Sequence, residues 1–230
     1  MCVKKIFEKN ETLMTILIIV AYVVVNSYCM QNWGRTDYRS VVVNTVFSIA
    51  LLALVISLKR VEYYGLVSVV DWKKYLYFIP LIIISTTNLW HGININYTGS
   101  EIIFYILTMI NIGFLEEIIF RGFLFKMMAK DNVKSAIVVS SVTFGLGHIV
   151  NLINGADFIP TLMQVCYAIA LGYLFVIIFY KSKSIVPCIL SHILINSLSI
   201  FNDGFSYVTS IFLIVAPVVY ATYINKKVIN

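Results

Sequence analysis

Apolar residues form eight runs along the 230-residue chain, separated by short polar connections. Most runs approach the roughly 20 residues that an α-helix needs to cross a bilayer, although the third and seventh are shorter. The pattern predicts an all-α fold, a polytopic membrane helix bundle of about eight transmembrane helices in a single domain, residues 1–230. The eight runs cover residues 13–30, 41–58, 75–89, 102–125, 135–153, 161–180, 185–200 and 207–224.

The composition agrees with this prediction. Hydrophobic residues make up 60% of the chain and charged residues 12%, as is typical of polytopic membrane proteins. The longest connections, around residues 61–74 and 90–101, are too short to fold as soluble domains. With its tyrosines, tryptophan and lysines, the segment 61–74 is predicted to lie at the membrane interface in contact with lipid.

Basic residues are divided unequally between the two ends of the predicted helices. Of the 17 Lys and Arg residues, only Arg35 and Arg39 fall on the side opposite the N-terminus, and Arg121 lies inside a helix. By the positive-inside rule, this distribution predicts a multi-pass protein of the cell membrane with both termini cytoplasmic. The net charge of +6 then reflects topology and contact with lipid headgroups, and it predicts no binding of nucleic acid.

The fourth apolar run contains the polar sequence Glu-Glu-Ile-Ile-Phe-Arg at residues 116–121. A charged side chain at the bilayer centre costs about 2.5–3.5 kcal/mol of insertion free energy, so these three groups need a specific reason to be there. On an α-helix Glu117 and Arg121 share one face, whereas Glu116 points away from Arg121. The spacing predicts that Arg121 neutralises Glu117 in a supporting role and leaves Glu116 free to react.

Two of the three histidines also lie in apolar helical segments, His148 in Phe-Gly-Leu-Gly-His and His192 in His-Ile-Leu-Ile-Asn. A single histidine on an apolar face is commonly a structural core residue. Together with the glutamate pair, however, these histidines confine the strongly polar groups to three helices, which favours one shared site. Asn196 follows His192 by four residues and therefore faces the same way.

The three motifs EExxxR, FxxxH and HxxxN, in this order on three hydrophobic helices, resemble those of the CPBP intramembrane proteases. This family includes the CAAX prenyl endopeptidases and bacteriocin-processing membrane proteins. The resemblance covers residues 102–200, which would form the catalytic core, whereas the first three predicted helices resemble no known family. It implies that Glu116 and His148 activate a water molecule and that His192 and Asn196 bind the oxyanion.

Elementary chemistry assigns the same residues to the same steps. Hydrolysis of an amide needs an activated water, stabilisation of the oxyanion and a proton for the leaving amine. Glu116 is the candidate base, His148 the candidate proton carrier, and His192 and Asn196 can donate to one oxygen. The chain's small size and Ile-, Asn-, Lys- and Tyr-rich composition suggest a bacterial plasma-membrane protein. The expected substrate is thus a peptide precursor or membrane protein rather than a prenylated tail.

The cofactor is a separate question. Members of the resembled family are often described as metalloproteases, and Glu116, His148 and His192 form a two-histidine, one-glutamate set of the kind that binds catalytic Zn²⁺. Without a metal, every step of hydrolysis has a dedicated residue. The sequence therefore favours hydrolysis with no required cofactor, and zinc is the alternative.

Two other functions compete with proteolysis. A transporter would place ionisable residues in several helices and would contain broken helices in paired halves, which the pattern does not show. A non-proteolytic membrane partner on the same scaffold, such as a sensor-kinase regulator or a bacteriocin immunity protein, is the second alternative. The intact motifs favour the endopeptidase, and nothing in the sequence specifies an oligomeric state.

Overall fold

The computed structural model describes residues 3–69, 78–95, 97–202 and 204–227, and within these ranges the chain is helical and contains no strand. Six helices are long and apolar enough to cross a membrane, and two shorter apolar helices accompany them, so the predicted polytopic bundle is confirmed. The helices are α1 (Val3–Lys9), α2 (Glu11–Asn32), α3 (Tyr38–Ser57), α4 (Ile79–Ser85), α5 (Ser100–Glu117), α6 (Lys126–Met128), α7 (Val133–Gly147), α8 (Val150–Ile153), α9 (Phe158–Ser182), α10 (Val186–Leu198) and α11 (Tyr207–Lys227).

Each predicted apolar run falls on helical structure, although the run 135–153 is divided between α7 and α8, and the long helices extend a few residues into the polar flanks. A π-helix, Ile118–Phe125, joins α5 to α6, so that one continuous span runs from Ser100 to Met128. The run at 75–89 is the least regular: it consists of α4 and the 3₁₀ turn Thr87–Leu89, and its first three residues lie outside the described ranges. The short helix α1 was not predicted.

Local side chains fix where several helices begin and end. Asp37 precedes α3 and accepts hydrogen bonds from the backbone N–H and the guanidinium of Arg39, which lower the pKa of the Asp37 carboxyl to about 2. Asn132 caps α7 in the same way by accepting from the N–H of Ser135. At the end of α9, Lys183 adopts a left-handed conformation that turns the chain toward α10.

One end of the bundle collects most of the basic residues. The Glu11 carboxylate pairs with Arg60 at 2.7 Å and with Lys130, which brings the start of α2 against the connections that follow α3 and α6. The Ile185 N–H donates to Gly65 O at 2.8 Å and adds the connection between α9 and α10. We call this the lysine-rich end, formed by residues 3–11, 57–69, 126–134 and 182–185.

The opposite end holds Arg35 and Arg39 and is built from amide side chains. The Gln31 amide donates to Asn154 Oδ1 at 2.7 Å, and the Asn202 amide donates to Asn88 Oδ1 at 3.1 Å. These contacts join the ends of α2 and α8 and the ends of α4 and α10. We call this the lysine-poor end, formed by residues 31–39, 88–95, 97–99, 151–157, 199–202 and 204–209.

The segment that follows α3 was predicted to contact lipid, and one of its tyrosines does not. Tyr64 is only 1% exposed and packs against Phe123, with 4.6 Å between ring centroids. The predicted contact with lipid is therefore wrong for Tyr64, because its ring packs inside the protein against Phe123. Trp72, Lys73 and Lys74, which belonged to the same prediction, lie outside the described residues.

Helix α10 lies close against α5 at Gly113. A Cβ atom at this position would lie 2.7 Å from the Ile193 side chain and 3.1 Å from the Ile193 backbone nitrogen, so any larger residue would force the two helices apart. Gly113 lies one turn before Glu117, and Ile193 follows His192 directly. Because glycine has no side chain, Gly113 lets α10 pack close enough to bring His192 to the glutamate pair.

The distribution of charge predicts the orientation of the bundle. In a background lacking the native cysteines, single cysteines introduced near Lys130 and Lys183 should be shielded from an impermeant thiol reagent added to intact cells, whereas one near Asp157 should react. Mass spectrometry of the purified protein would measure the labelling. Reaction of the cysteine near Lys130 in intact cells would contradict an orientation with both termini cytoplasmic.

Candidate active site

A buried ion pair joins Glu117 and Arg121. Their Oε1 and Nη1 atoms are 3.0 Å apart, and both side chains are fully buried, so the predicted pair is present. The guanidinium lies 4.1 Å from the centre of the Phe144 ring and 5.5 Å from that of Phe175. Among the described residues its N–H groups are not aligned with an acceptor for hydrogen bonding, so Coulomb attraction and the ring faces hold it in place.

Directly after Glu117 the helix widens into the π-helix Ile118–Phe125, all of whose residues are buried. Here each N–H turns toward the carbonyl five residues back instead of four, a form found frequently at functional sites. The hydroxyl of Ser140 on α7 donates to Phe120 O at 2.9 Å and satisfies a carbonyl of the widened turn. The prediction treated this stretch as a regular α-helix, and it is one only as far as Glu117.

His192 lies between the two carboxylates. Its Nδ1 is 2.8 Å from Glu117 Oε1, its Nε2 is 3.4 Å from Glu116 Oε2, and the residue is 5% exposed. Glu117 therefore contacts both Arg121 and His192, and Glu116 is not left free as expected. The reason is the close docking of α10 on α5, which inserts the imidazole between the carboxylates of two consecutive residues.

Tyr22 of α2 is a site residue that the sequence analysis missed. Its hydroxyl donates to Glu116 Oε1 at 2.6 Å, and the side chain is only 4% exposed. A tyrosine in the middle of an apolar run counts as hydrophobic, so the hydropathy pattern does not reveal its hydroxyl group. Its central position in a spanning helix is the one signal that distinguishes it. Through Tyr22, the site includes a helix that lies outside the region of resemblance.

These ionisable groups offset one another within the bundle. Arg121 pairs with Glu117, and Glu116 faces the imidazole of His192. Such pairing lowers the cost of burying the groups away from water.

His148 and Asn196 complete the predicted group. His148 follows the last turn of α7, and its Nδ1 is 3.2 Å from Phe144 O, so the tautomer with a proton on Nδ1 leaves Nε2 as an acceptor. The Asn196 side chain makes no hydrogen bond with any described residue. Each residue therefore retains a polar group that can bind water or substrate.

All four predicted catalytic residues, Glu116, His148, His192 and Asn196, line one cavity of about 570 Å³. Cavities of this size are typical of sites for small molecules and short peptide segments. Tyr22 contributes to the same wall, whereas Glu117 and Arg121 lie behind it. Three helices that are distant in sequence thus deliver the predicted side chains to one place.

The alternative zinc set is not assembled as a ligand cluster. Throughout the described ranges, no three His, Cys, Asp or Glu side chains are grouped so that they could hold a metal ion. The three side chains of the alternative zinc set, Glu116, His148 and His192, are therefore not grouped for metal binding as they are placed.

Comparison with protein families gives a match over residues 98–198, to the family described as type II CAAX prenyl endopeptidase Rce1-like. The matched region contains all three motifs, so the predicted resemblance to the CPBP and CAAX protease family is confirmed. Comparison with curated proteins and comparison with solved structures gave no match. Helices α1 to α4, including Tyr22, precede the matched region.

We expect Arg121→Ala to reduce both the amount of folded protein and its activity, because it leaves Glu117 buried beside His192 without its cation. Removing one partner of a buried ion pair typically costs about 3–5 kcal/mol of stability. Glu116→Gln should instead give folded, inactive protein, since an amide oxygen still accepts from Tyr22. Size-exclusion chromatography in detergent and a cleavage assay would measure the two effects. Equal loss of folded protein in both variants would contradict this division of roles.

We expect Tyr22→Phe to fold normally and to lose activity, because the ring still packs while Glu116 loses its donor. A hydrogen bond to a charged group contributes about 1.5–3 kcal/mol, so turnover should fall by about one to two orders of magnitude. Tyr28→Phe is the matched control, since Tyr28 lies on the same helix and is exposed. Equal activity of the two variants would contradict a role for the Tyr22 hydroxyl.

Proposed function

Starting from the Rce1-like match of residues 98–198, which supports membership of the CPBP and CAAX protease family, we propose that this protein is an intramembrane endopeptidase. It hydrolyses a peptide bond of a hydrophobic or membrane-associated polypeptide with water activated by Glu116. The observation that carries this proposal is the convergence of Glu116, His148, His192 and Asn196 on one cavity within the helix bundle.

In the proposed reaction, a water molecule in the cavity gives a proton to Glu116 while its oxygen attacks the substrate carbonyl carbon. Glu116 acts as the base because it lines the cavity and one of its oxygens is fixed by Tyr22. The C–N bond then breaks, and the proton passes from Glu116, directly or through His148, to the leaving amine. The water supplies the hydroxyl of one product and a hydrogen of the other, so the atoms balance.

The oxyanion is stabilised from α10. Asn196 offers side-chain N–H groups that are free of other hydrogen bonds with described residues, and His192 in its imidazolium form offers Nε2–H. The contact between His192 Nε2 and Glu116 is long, at 3.4 Å, and a substrate oxygen would replace it. Glu117 accepts from Nδ1 and holds the imidazole in the orientation that this role requires.

The experiment that tests this function compares the peptides of cells that produce the wild type and Glu116→Gln. Cleaved fragments should be absent from the variant, and their uncleaved precursors should accumulate. Glu101→Gln is a matched control, since Glu101 lies on the same helix but is exposed at its first turn. Identical peptide profiles for the wild type and Glu116→Gln would overturn the proposal and favour a non-proteolytic membrane partner.

We propose that the reaction requires no metal, because each step has its own side chain. Purified protein should retain cleavage after prolonged incubation with phenanthroline, as it should with a non-chelating isomer. Elemental analysis of the wild type and His148→Ala gives a second readout that does not depend on activity. Loss of cleavage that stoichiometric zinc restores, with metal bound to the wild type alone, would contradict this expectation.

A further inference from the structure

The cavity is lined asymmetrically along the helix axes. On α2 its lining begins at Tyr22 and continues toward the lysine-poor end as far as Arg35, and on α10 it runs from His192 to Ser199 and beyond. The segment around α7 and α8 follows the same course, from Phe144 to Ala156. Among the described residues, the cavity wall includes none from the lysine-rich end. The cavity therefore extends from mid-bundle toward one end only.

Beneath the site, apolar side chains close the bundle toward the lysine-rich end. We call this layer the apolar floor; it consists of Leu58, Tyr64, Ile118, Phe123 and Ile185, each no more than 1% exposed. None of these five residues lines the cavity. In the described part of the chain, close-packed apolar side chains rather than cavity wall thus occupy the lysine-rich end.

The mouth of the cavity is polar, in contrast to the floor. Several of its side chains are amides that bind one another, such as Asn151, which donates to Gln164 Oε1 at 2.8 Å. Arg35 is exposed and contributes a positive charge to the rim. A wall of amide donors and acceptors suits a hydrated polypeptide, whose backbone makes the same kinds of hydrogen bond, better than it suits a lipid chain.

We propose that the polypeptide substrate reaches Glu116 from the lysine-poor end, which the positive-inside rule places outside the cytoplasm. The substrate is then a secreted or membrane-anchored polypeptide whose scissile bond lies on the extracytoplasmic side of the membrane centre. The identity of the substrate rests on the proposed function. The direction of access rests only on the cavity lining, the apolar floor and the distribution of charge.

Cysteine labelling tests the direction of access and does not require the protein to be enzymatically active. In a background lacking the native cysteines, Ser199→Cys places a thiol in the cavity wall one turn beyond the oxyanion residues. Ser191→Cys is its matched control, since Ser191 is buried on α10, the helix that Ser199 directly follows, and does not line the cavity. Ser57→Cys reports the lysine-rich end, where that residue is exposed.

A small, charged thiol reagent added to intact cells should modify Ser199→Cys and leave Ser191→Cys unmodified. Ser57→Cys should react only after the membrane is permeabilised. The inference is overturned if Ser199→Cys reacts only in permeabilised cells, if it does not react at all, or if Ser57→Cys reacts in intact cells.

A second experiment connects access with cleavage. Phe205 lines the cavity at its lysine-poor end, whereas Asn32 is exposed at the same end and does not line the cavity, so Phe205→Cys and Asn32→Cys form a matched pair. A bulky impermeant maleimide should abolish cleavage when attached to Phe205→Cys and leave it unchanged when attached to Asn32→Cys. Unchanged cleavage by modified Phe205→Cys would overturn the route of entry. Absence of cleavage from the unmodified wild type would instead refute the proposed function, and the labelling result would stand.

Discussion

The structure depends on the need to neutralise ionised side chains that are buried within a membrane bundle. Glu117 and Arg121 are both fully buried, and neither could stay charged there alone. Their pairing, the Phe144 and Phe175 rings around the guanidinium, and the contact of Glu117 with His192 form one connected arrangement. It anchors α5 to α10 and leaves Glu116 on the side that faces the cavity.

This arrangement also divides the interior into two regions with different chemistry. On one side lies the apolar floor, whose side chains are almost fully buried. On the other side, Glu116, His148 and Asn196 line a cavity that extends to amide side chains at the lysine-poor end. Apolar and polar side chains are thus separated along the helix axes.

The segment that precedes the family match contributes to the site as well as to the fold. Tyr22 donates to Glu116 from α2, and Tyr64 packs against Phe123 in the apolar floor. The matched region alone would leave Glu116 without its hydroxyl donor. The group of side chains that the three motifs define is therefore completed by a residue outside the family match.

The sequence by itself determined the helical bundle, the Glu117–Arg121 pair and four of the polar side chains that line the cavity. Periodicity and spacing suffice for these features, because a helix fixes which of its own residues share a face and the bilayer fixes how long an apolar run must be. The tertiary structure alone decided that His192 contacts both carboxylates, that Tyr22 binds Glu116 and that the cavity lining extends toward the lysine-poor end. These features depend on how closely and at what rotation separate helices pack, as at Gly113 and Ile193, and no spacing within one helix contains that information.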